Sequence, residues 1–322
     1  MTRRALLLMG PTGAGKSALA MQLVEQLPLE IISVDSALVY RGMDIGTAKP
    51  SGMDRERVPH HLIDILDPSQ NFSAGEFTRA AAAAMQDIWR RGRQPLLVGG
   101  TMLYFHALTH GIAQLPEADA TLRAAILREA QSRGWPELHR ELQAVDPAAA
   151  ARIHVNDPQR IQRALEVFRL TGKNITSLQQ KRVSVFADAE VTEFVFAPLE
   201  RRELHSRIEE RFDAMLAAGL LAEVQELFER RDLSAEHPSM RAVGYRQMWR
   251  HLSGECALSD ARIQAIVATR QLAKRQLTWL RRRDRAQRYD SMHRDAARMM
   301  IDALSQSGFA ASSDTTTQGV LC

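Results

Sequence analysis

Gly10-Pro11-Thr12-Gly13-Ala14-Gly15-Lys16-Ser17 lies between an apolar run, Ala5-Leu6-Leu7-Leu8-Met9, and an Ala/Leu-rich stretch from Ala18 to Leu27. The order is strand, glycine loop, helix, which is the context that a G-x-x-x-x-G-K-[ST] motif needs. In such a loop successive backbone N–H groups point inward at phosphate oxygens, and the following helix adds the partial positive charge of its N-terminus. Lys16 and Ser17 then stand where a phosphate and Mg²⁺ would be met. The motif asks for a phosphate or diphosphate and leaves hydrolysis open. Its plainer reading is a glycine turn that only joins a strand to a helix.

Two further apolar bursts repeat the pattern. Ile31-Ile32-Ser33-Val34 runs into Asp35-Ser36, and Pro95-Leu96-Leu97-Val98 runs into Gly99-Gly100-Thr101. Between them a helix is expected from Ser73 to Arg91, with Ser73 and Glu76 spaced as a capping box. Strands that are continuous apolar runs and alternate with helices predict an α/β fold, a P-loop NTPase-like parallel sheet flanked by helices. Ligands of such sheets bind beyond the carboxyl ends of the strands, where all three loops fall. Asp35 could there help hold Mg²⁺, act as a general base, or only cap a helix. Thr101 could donate to a phosphate or substrate, or serve as a helix cap.

From 113 to 185 the pattern turns helical, at Leu122 to Arg133, Pro136 to Val145, and Gln159 to Leu170 after Asn156-Asp157-Pro158. This predicts an all-helical insertion domain, with the catalytic core at 1–112 and 186–304. The Val191 to Phe196 run resumes the sheet, and amphipathic helices are expected at Arg202 to Arg230 and Asp260 to Arg283. The Ser/Thr-rich tail at 305–322 reads as disordered. Ile208, Phe212, Met215 and Leu216 form a buried stripe. On an adjoining face, Arg207 and Arg211 either pair with Glu203 or Glu210 or meet a phosphate. His106 and His110 have metal-ligand spacing, yet no third ligand accompanies them, so packing is the better account. His60-His61 reads as structural.

The 322 residues are 45% hydrophobic, enough to bury a core, and 25% charged. No apolar run approaches the roughly 18 residues of a membrane span. The five-residue run after Arg3-Arg4 ends in Gly10-Pro11, unlike a signal peptide. Two cysteines, Cys256 and Cys322, make no metal site, which leaves a reducing cytoplasm as the expectation. The net charge of +4 is small, but residues 270–295 carry nine basic side chains against three acidic ones. That excess points either to a polyanionic partner or to a solvated helix face. A monomer is the default.

Seven blocks, in order, resemble the tRNA dimethylallyltransferases, the bacterial-type tRNA isopentenyltransferase family. They are Gly10 to Ser17; Ile32 to Ser36 with Val39 to Pro50; Val58 to Asp64; Gly99 to Tyr104; Asn156 to Arg160; Val243 to Gln247; and Thr269 to Gln276. The resemblance implies transfer of a dimethylallyl group from dimethylallyl diphosphate to N6 of adenosine 37, 3′ of the anticodon, in tRNAs that read codons beginning with U. It implies Mg²⁺ as cofactor and the tRNA anticodon stem-loop as partner. Asp35 is the implied general base, with Thr101 and Arg211 beside the reacting centre. Gly10, Pro11, Thr12, Gly13, Ala14, Gly15, Lys16 and Ser17 are the implied diphosphate site, Ser17 also being the implied metal ligand. Implied tRNA contacts are Asp35, Ser36, Ala37, Leu38 and Thr101; Arg123, Gln159, Arg160, Ile161, Gln162 and Arg163; Arg241, Ala242, Val243, Gly244, Tyr245 and Arg246; and Lys274, Arg275, Gln276, Leu277, Thr278, Trp279, Leu280 and Arg281. Eukaryotic relatives often append a zinc finger, of which this tail has no trace.

Two rivals share parts of this pattern. A small-molecule kinase would share the loop and sheet, but would need a nucleotide base site and usually an Arg-rich lid. An RNA-binding module with a relict loop would lose little on Asp35→Ala. Within the basic segment, Arg282 and Arg283 are the pair whose reversal should weaken RNA binding.

Overall fold

The computed structural model describes residues 3–113, 115–179 and 183–309. Six parallel strands make one sheet: β1 (Arg4–Met9), β2 (Leu29–Val34), β3 (His60–His61), β4 (Gln94–Gly99), β5 (Glu190–Ala197) and β6 (Gln287–Asp290), in the order β3-β2-β4-β1-β5-β6. β1 lies between β4 and β5, with Leu6 opposite Leu96 and Thr192. Ala5 to Met9 are completely buried, as a strand covered on both faces requires. Truncating Leu7 or Leu8 to Ala should cost about 2–5 kcal/mol.

One face of the sheet packs on α1 (Lys16–Gln26) and α14 (Ala296–Leu304) through Leu19, Leu23, Met300 and Leu304. α2 (Gly52–Arg57) precedes β3, and α3 (Ala74–Arg90) precedes β4. The capping box expected at α3 is present: the Ser73 hydroxyl accepts from Glu76 N and the Glu76 carboxylate from Ser73 N. α4 (Met102–His110) follows β4, and a second apolar cluster gathers α10 (Arg201–Ala217), α11 (Leu220–Phe228), α12 (Tyr245–Leu252) and α13 (Leu258–Leu280) around Phe212, Val224, Tyr245 and Met248.

The chain divides into two compact units, 3–106 with 186–309, and Ala107–Val185. The second contains α5 (Ala120–Arg133), α6 (Trp135–Val145), α7 (Pro147–Ala150), α8 (Pro158–Thr171) and α9 (Ile175–Leu178), and among its described residues no strand. Its core is Ile126, Leu138, Leu142, Ile161 and Leu165. Asp157 caps α8 by accepting from Arg160 N at 3.2 Å, which explains why Asn156-Asp157-Pro158 opens a helix.

Three expectations are corrected. Arg202 to Arg230 is two helices, because the chain turns at Gly219, whose φ of 103° is open to glycine and strained for other residues. The basic segment is not all helix, since Gln287–Asp290 adds an edge strand beside β5. Residues 305–309 continue α14 as a π turn with Phe309 buried, so the tail assignment fails there; 310–322 lie outside the described residues.

Candidate active site

The loops after β1, β2 and β4 bring the chemistry-bearing residues to one edge of the sheet. In the glycine loop Gly13 and Gly15 have φ of 81° and 86°, and Gly15 caps α1 without any side-chain hydrogen bond. The first turn of α1 holds no acidic residue, so its N–H groups stay available to an anion. Lys16 Nζ donates to Pro11 O at 2.8 Å, folding over its own loop. Burial and the neighbouring Arg211 guanidinium push the Lys16 ammonium down to about 7, with Asp35 pulling the other way. Ser17 is exposed at the start of the helix.

Asp35 and Thr101 end neighbouring strands, β2 and β4. Asp35 Oδ1 accepts from Ala37 N at 2.8 Å. Thr101 Oγ1 accepts from Ser36 N at 3.2 Å and so ties the two loops together, while its carbonyl accepts the first hydrogen bonds of α4 from Tyr104 N and Phe105 N. The hydroxyl proton of Thr101 remains free to donate to a ligand. Arg211 projects from α10 toward both loops, and neither it nor Arg207 makes an ion pair among the described residues. The pairing with Glu203 or Glu210 is therefore not made. Burial lowers the affinity of the Arg211 guanidinium for its proton, and Asp35 offsets part of that.

Two cavities meet here. One, of about 520 Å³, is lined by Asp35, Thr101, Phe212, Val243, Arg275 and Trp279. The other, of about 630 Å³, is lined by Gly13, Lys16, Ser17, Lys49 and Arg55. Arg211 and Met215 line both. Gln276 braces the junction: its Oε1 accepts from Thr12 N at 2.9 Å and its Nε2 donates to Gly100 O at 2.9 Å.

Gln276 is only 8% exposed and both ends of its amide are taken, yet it also lines the first cavity. Tyr245, Leu280 and Ile161 are buried too, and Tyr245 also lines the first cavity. Gly244 is likewise buried. Within the helical unit, Glu166 is buried and holds Arg123 through two hydrogen bonds of 2.9 and 3.2 Å and Arg163 through one of 2.7 Å. Both guanidinia pair with this internal carboxylate, and the Arg123 side chain stays 43% exposed. Gln162 donates to Arg123 O at 3.0 Å, while Gln159 and Arg160 are exposed.

A further group of exposed candidates lies on α13 and just beyond it. Lys274, Arg275, Thr278, Trp279 and Arg281 are exposed, and Leu277 is half-buried. Of the nine basic residues at 270–295, Arg270 pairs with Glu209, Arg283 with Glu193, and Arg288 donates to Leu280 O. The other six, Lys274, Arg275, Arg281, Arg282, Arg285 and Arg294, make no ion pair among the described residues. Arg282 and Arg283 are consequently the wrong pair to reverse; Arg281 and Arg282 are the free one. Arg246 is exposed and Arg241 pairs with Glu236 at 2.5 Å, while Ala242 and Val243 line the first cavity. Ser36 is exposed and Ala37 and Leu38 are half-buried.

His60 and His61 form β3, His61 Nε2 lying 2.8 Å from the buried Glu30 carboxylate, in keeping with a structural role. Among the described residues no group of three or more His, Cys, Asp or Glu is placed to hold a metal. A Mg²⁺ that keeps most of its waters and binds through substrate phosphates needs only one or two protein oxygens, and the exposed Ser17 hydroxyl fits that demand. No helix among the described residues is long and apolar enough to cross a membrane. Sequence reasoning missed Glu223, which binds the backbone of segment 44–46, and Met215 as a wall of both cavities.

Comparison with known proteins bears on the family of the whole chain. The family model described as IPP transferase matches residues 38–283. A tRNA dimethylallyltransferase from Nitrosococcus oceani is 58% identical over 291 residues, covering 90% of this chain and 93% of that protein. The crystal structure of a tRNA isopentenylpyrophosphate transferase from Bacillus halodurans is 36% identical and superposes with a TM-score of 0.70, covering 96% of this chain and 97% of that one. A eukaryotic dimethylallyltransferase captured acting on tRNA is 26% identical with a TM-score of 0.81, over 95% of this chain and 79% of that one. Likeness of this breadth exceeds a shared fold, and the chain belongs to the IPP transferase family.

Proposed function

We propose that this chain, as a tRNA dimethylallyltransferase, moves the dimethylallyl group from dimethylallyl diphosphate to N6 of adenosine 37 in tRNA and releases diphosphate. The observation that carries the reading is the meeting of a phosphate cradle with a carboxylate-lined cavity across Arg211 and Met215. Diphosphate fits the side of Lys16, Ser17 and the α1 N-terminus. An adenine base turned out of its loop, at a cost of a few kcal/mol, fits the side of Asp35 and Thr101.

An allylic diphosphate ionises once its leaving charge is stabilised, and the N–H groups of the glycine loop with Lys16 and Arg211 supply that stabilisation. Mg²⁺ held at Ser17 would add charge neutralisation on the diphosphate. As the C1–O bond breaks, the N6 lone pair, otherwise delocalised into the ring, forms the new bond to C1. The N6 proton then passes to a carboxylate at hydrogen-bond reach, the role we give Asp35. Thr101 orients the base, and the exposed cations of α13 take the tRNA backbone.

The test is incubation with radiolabelled dimethylallyl diphosphate, Mg²⁺ and unmodified tRNA. Label should appear in tRNA with release of diphosphate. Absence of label, with ATP consumed in a parallel reaction supplied with it, would overturn the reading in favour of a kinase.

A further inference from the structure

Segment 44–49 touches both cavities. Gly46 and Thr47 line the acceptor side, and Asp44, Ile45, Ala48 and Lys49 line the donor side. The segment contains no helix or strand; besides its own turn hydrogen bonds, one carboxylate from outside holds its backbone. Glu223, on α11, accepts from Asp44 N at 2.9 Å and Ile45 N at 2.7 Å through Oε2, and from Gly46 N at 3.1 Å through Oε1. The Tyr245 hydroxyl donates to the same Oε1. The Tyr245 ring is fully buried against the segment, so close that a Cβ on Gly46 would lie 2.5 Å from a ring carbon. At the far end Lys49 Nζ donates to Tyr40 O at 2.8 Å and pairs with Asp44 and Asp64, both at 2.5 Å. Four donors gathered on one carboxylate, three of them from consecutive residues, are more than a surface glutamate needs for solubility. They set the backbone path of the wall that faces the junction at Arg211 and Met215.

We propose that Glu223 and Tyr245 are positioning residues that hold segment 44–47 as a partition, keeping water from the allyl group as it ionises. The inference rests on the function proposed above. An ionising allylic carbon takes whichever nucleophile is at hand, and the enclosing wall decides between N6 and water. If the wall loosens, water attacks C1 as the C1–O bond to diphosphate breaks. The electron pair leaves with diphosphate, the water proton passes to solvent, and dimethylallyl alcohol is the product, with no change of oxidation state.

The experiment measures, in one reaction with tRNA and Mg²⁺, diphosphate released and prenylated adenosine formed. Wild type should give a ratio of one after subtraction of the enzyme-free background. Glu223→Gln, Tyr245→Phe and Gly46→Ala should each raise it, to about threefold or more, as uncoupled hydrolysis competes with transfer. A merely structural role lowers the melting temperature and both products together, and a ratio that stays at one in folded variants overturns the proposal. Tyr245→Phe keeps the buried ring and removes only the hydroxyl, so it reports even where Glu223→Gln fails to fold. A wild-type protein that makes no prenylated adenosine would count against the function and not against the partition.

Discussion

Donor binding should be coupled to proton uptake at Lys16, and the site's electrostatics give the size of the coupling. Burial, reinforced by Arg211 and only partly offset by Asp35, lowers the Lys16 ammonium to about 7 from the ordinary value of 10.5. A bound diphosphate sets several negative charges beside it and favours the charged form, so the pKa rises on binding. The empty protein then holds fewer protons than the complex above pH 7, and raising the pH weakens binding. At pH 8 a group of pKa about 7 is some nine-tenths deprotonated, so about 0.9 proton should be taken up per donor bound. The dissociation constant should accordingly be flat below about pH 7 and rise about tenfold per pH unit above it. Calorimetric titration with a non-reacting thio analogue of the donor, at pH 8 in buffers of different ionisation enthalpy, reads the uptake directly. Lys16→Arg keeps its charge throughout and isolates the lysine from ionisation of the ligand itself. Equal proton uptake by wild type and Lys16→Arg at pH 8 would refute the reasoning.

Asp35→Asn keeps the shape of the side chain but cannot take the N6 proton; kcat should fall about 10²–10⁴-fold while tRNA affinity, measured by filter binding, changes little. Reversing Arg281 and Arg282 to Glu should weaken tRNA binding and reduce the slope of log affinity against log salt by about 2, with donor binding unchanged in the same preparation. Glu166→Gln should destabilise the helical unit by about 1–3 kcal/mol in denaturant unfolding, since the amide keeps one acceptor for the half-exposed Arg123 and Arg163 but loses the charge. Burial alone would raise the Glu166 carboxyl, yet hydrogen bonds from Arg123, Arg163 and Asp119 N hold it below the ordinary 4.5. That stabilisation is therefore present above the ordinary glutamate range and lost as pH falls through the lowered value, which acid unfolding of wild type against the variant should show.

Much of the catalytic edge was legible because each strand there is an apolar run that stops at a residue with a special backbone or charge. β1 stops at the glycine loop, β2 at Asp35 and β4 at Gly99-Gly100-Thr101, and parallel pairing brings the three stops together. β6 was not legible, since Gln287-Arg288-Tyr289-Asp290 is short, polar and paired on one side only. The partner of Arg123 and Arg163 was not legible, because nothing local shows that Glu166, 43 residues beyond Arg123, turns inward to meet them. Glu223 escaped for the same reason, as its partners are backbone N–H groups 177 to 179 residues away, and a backbone donor leaves no mark in sequence.

Gln276 lines the first cavity and holds two loops at once. It sits on α13 between Arg275 and Trp279, which line the acceptor cavity, and it fastens Thr12 of the glycine loop to Gly100 ahead of Thr101. Any shift of α13 is thereby passed to both loops through hydrogen bonds that are shielded from water and costly to leave unmade, at about 1–3 kcal/mol each. The helix that presents the free cations is the one that braces the phosphate cradle. A polyanion docked on Lys274, Arg275 and Arg281 therefore loads the element that sets the geometry of donor and acceptor sides alike.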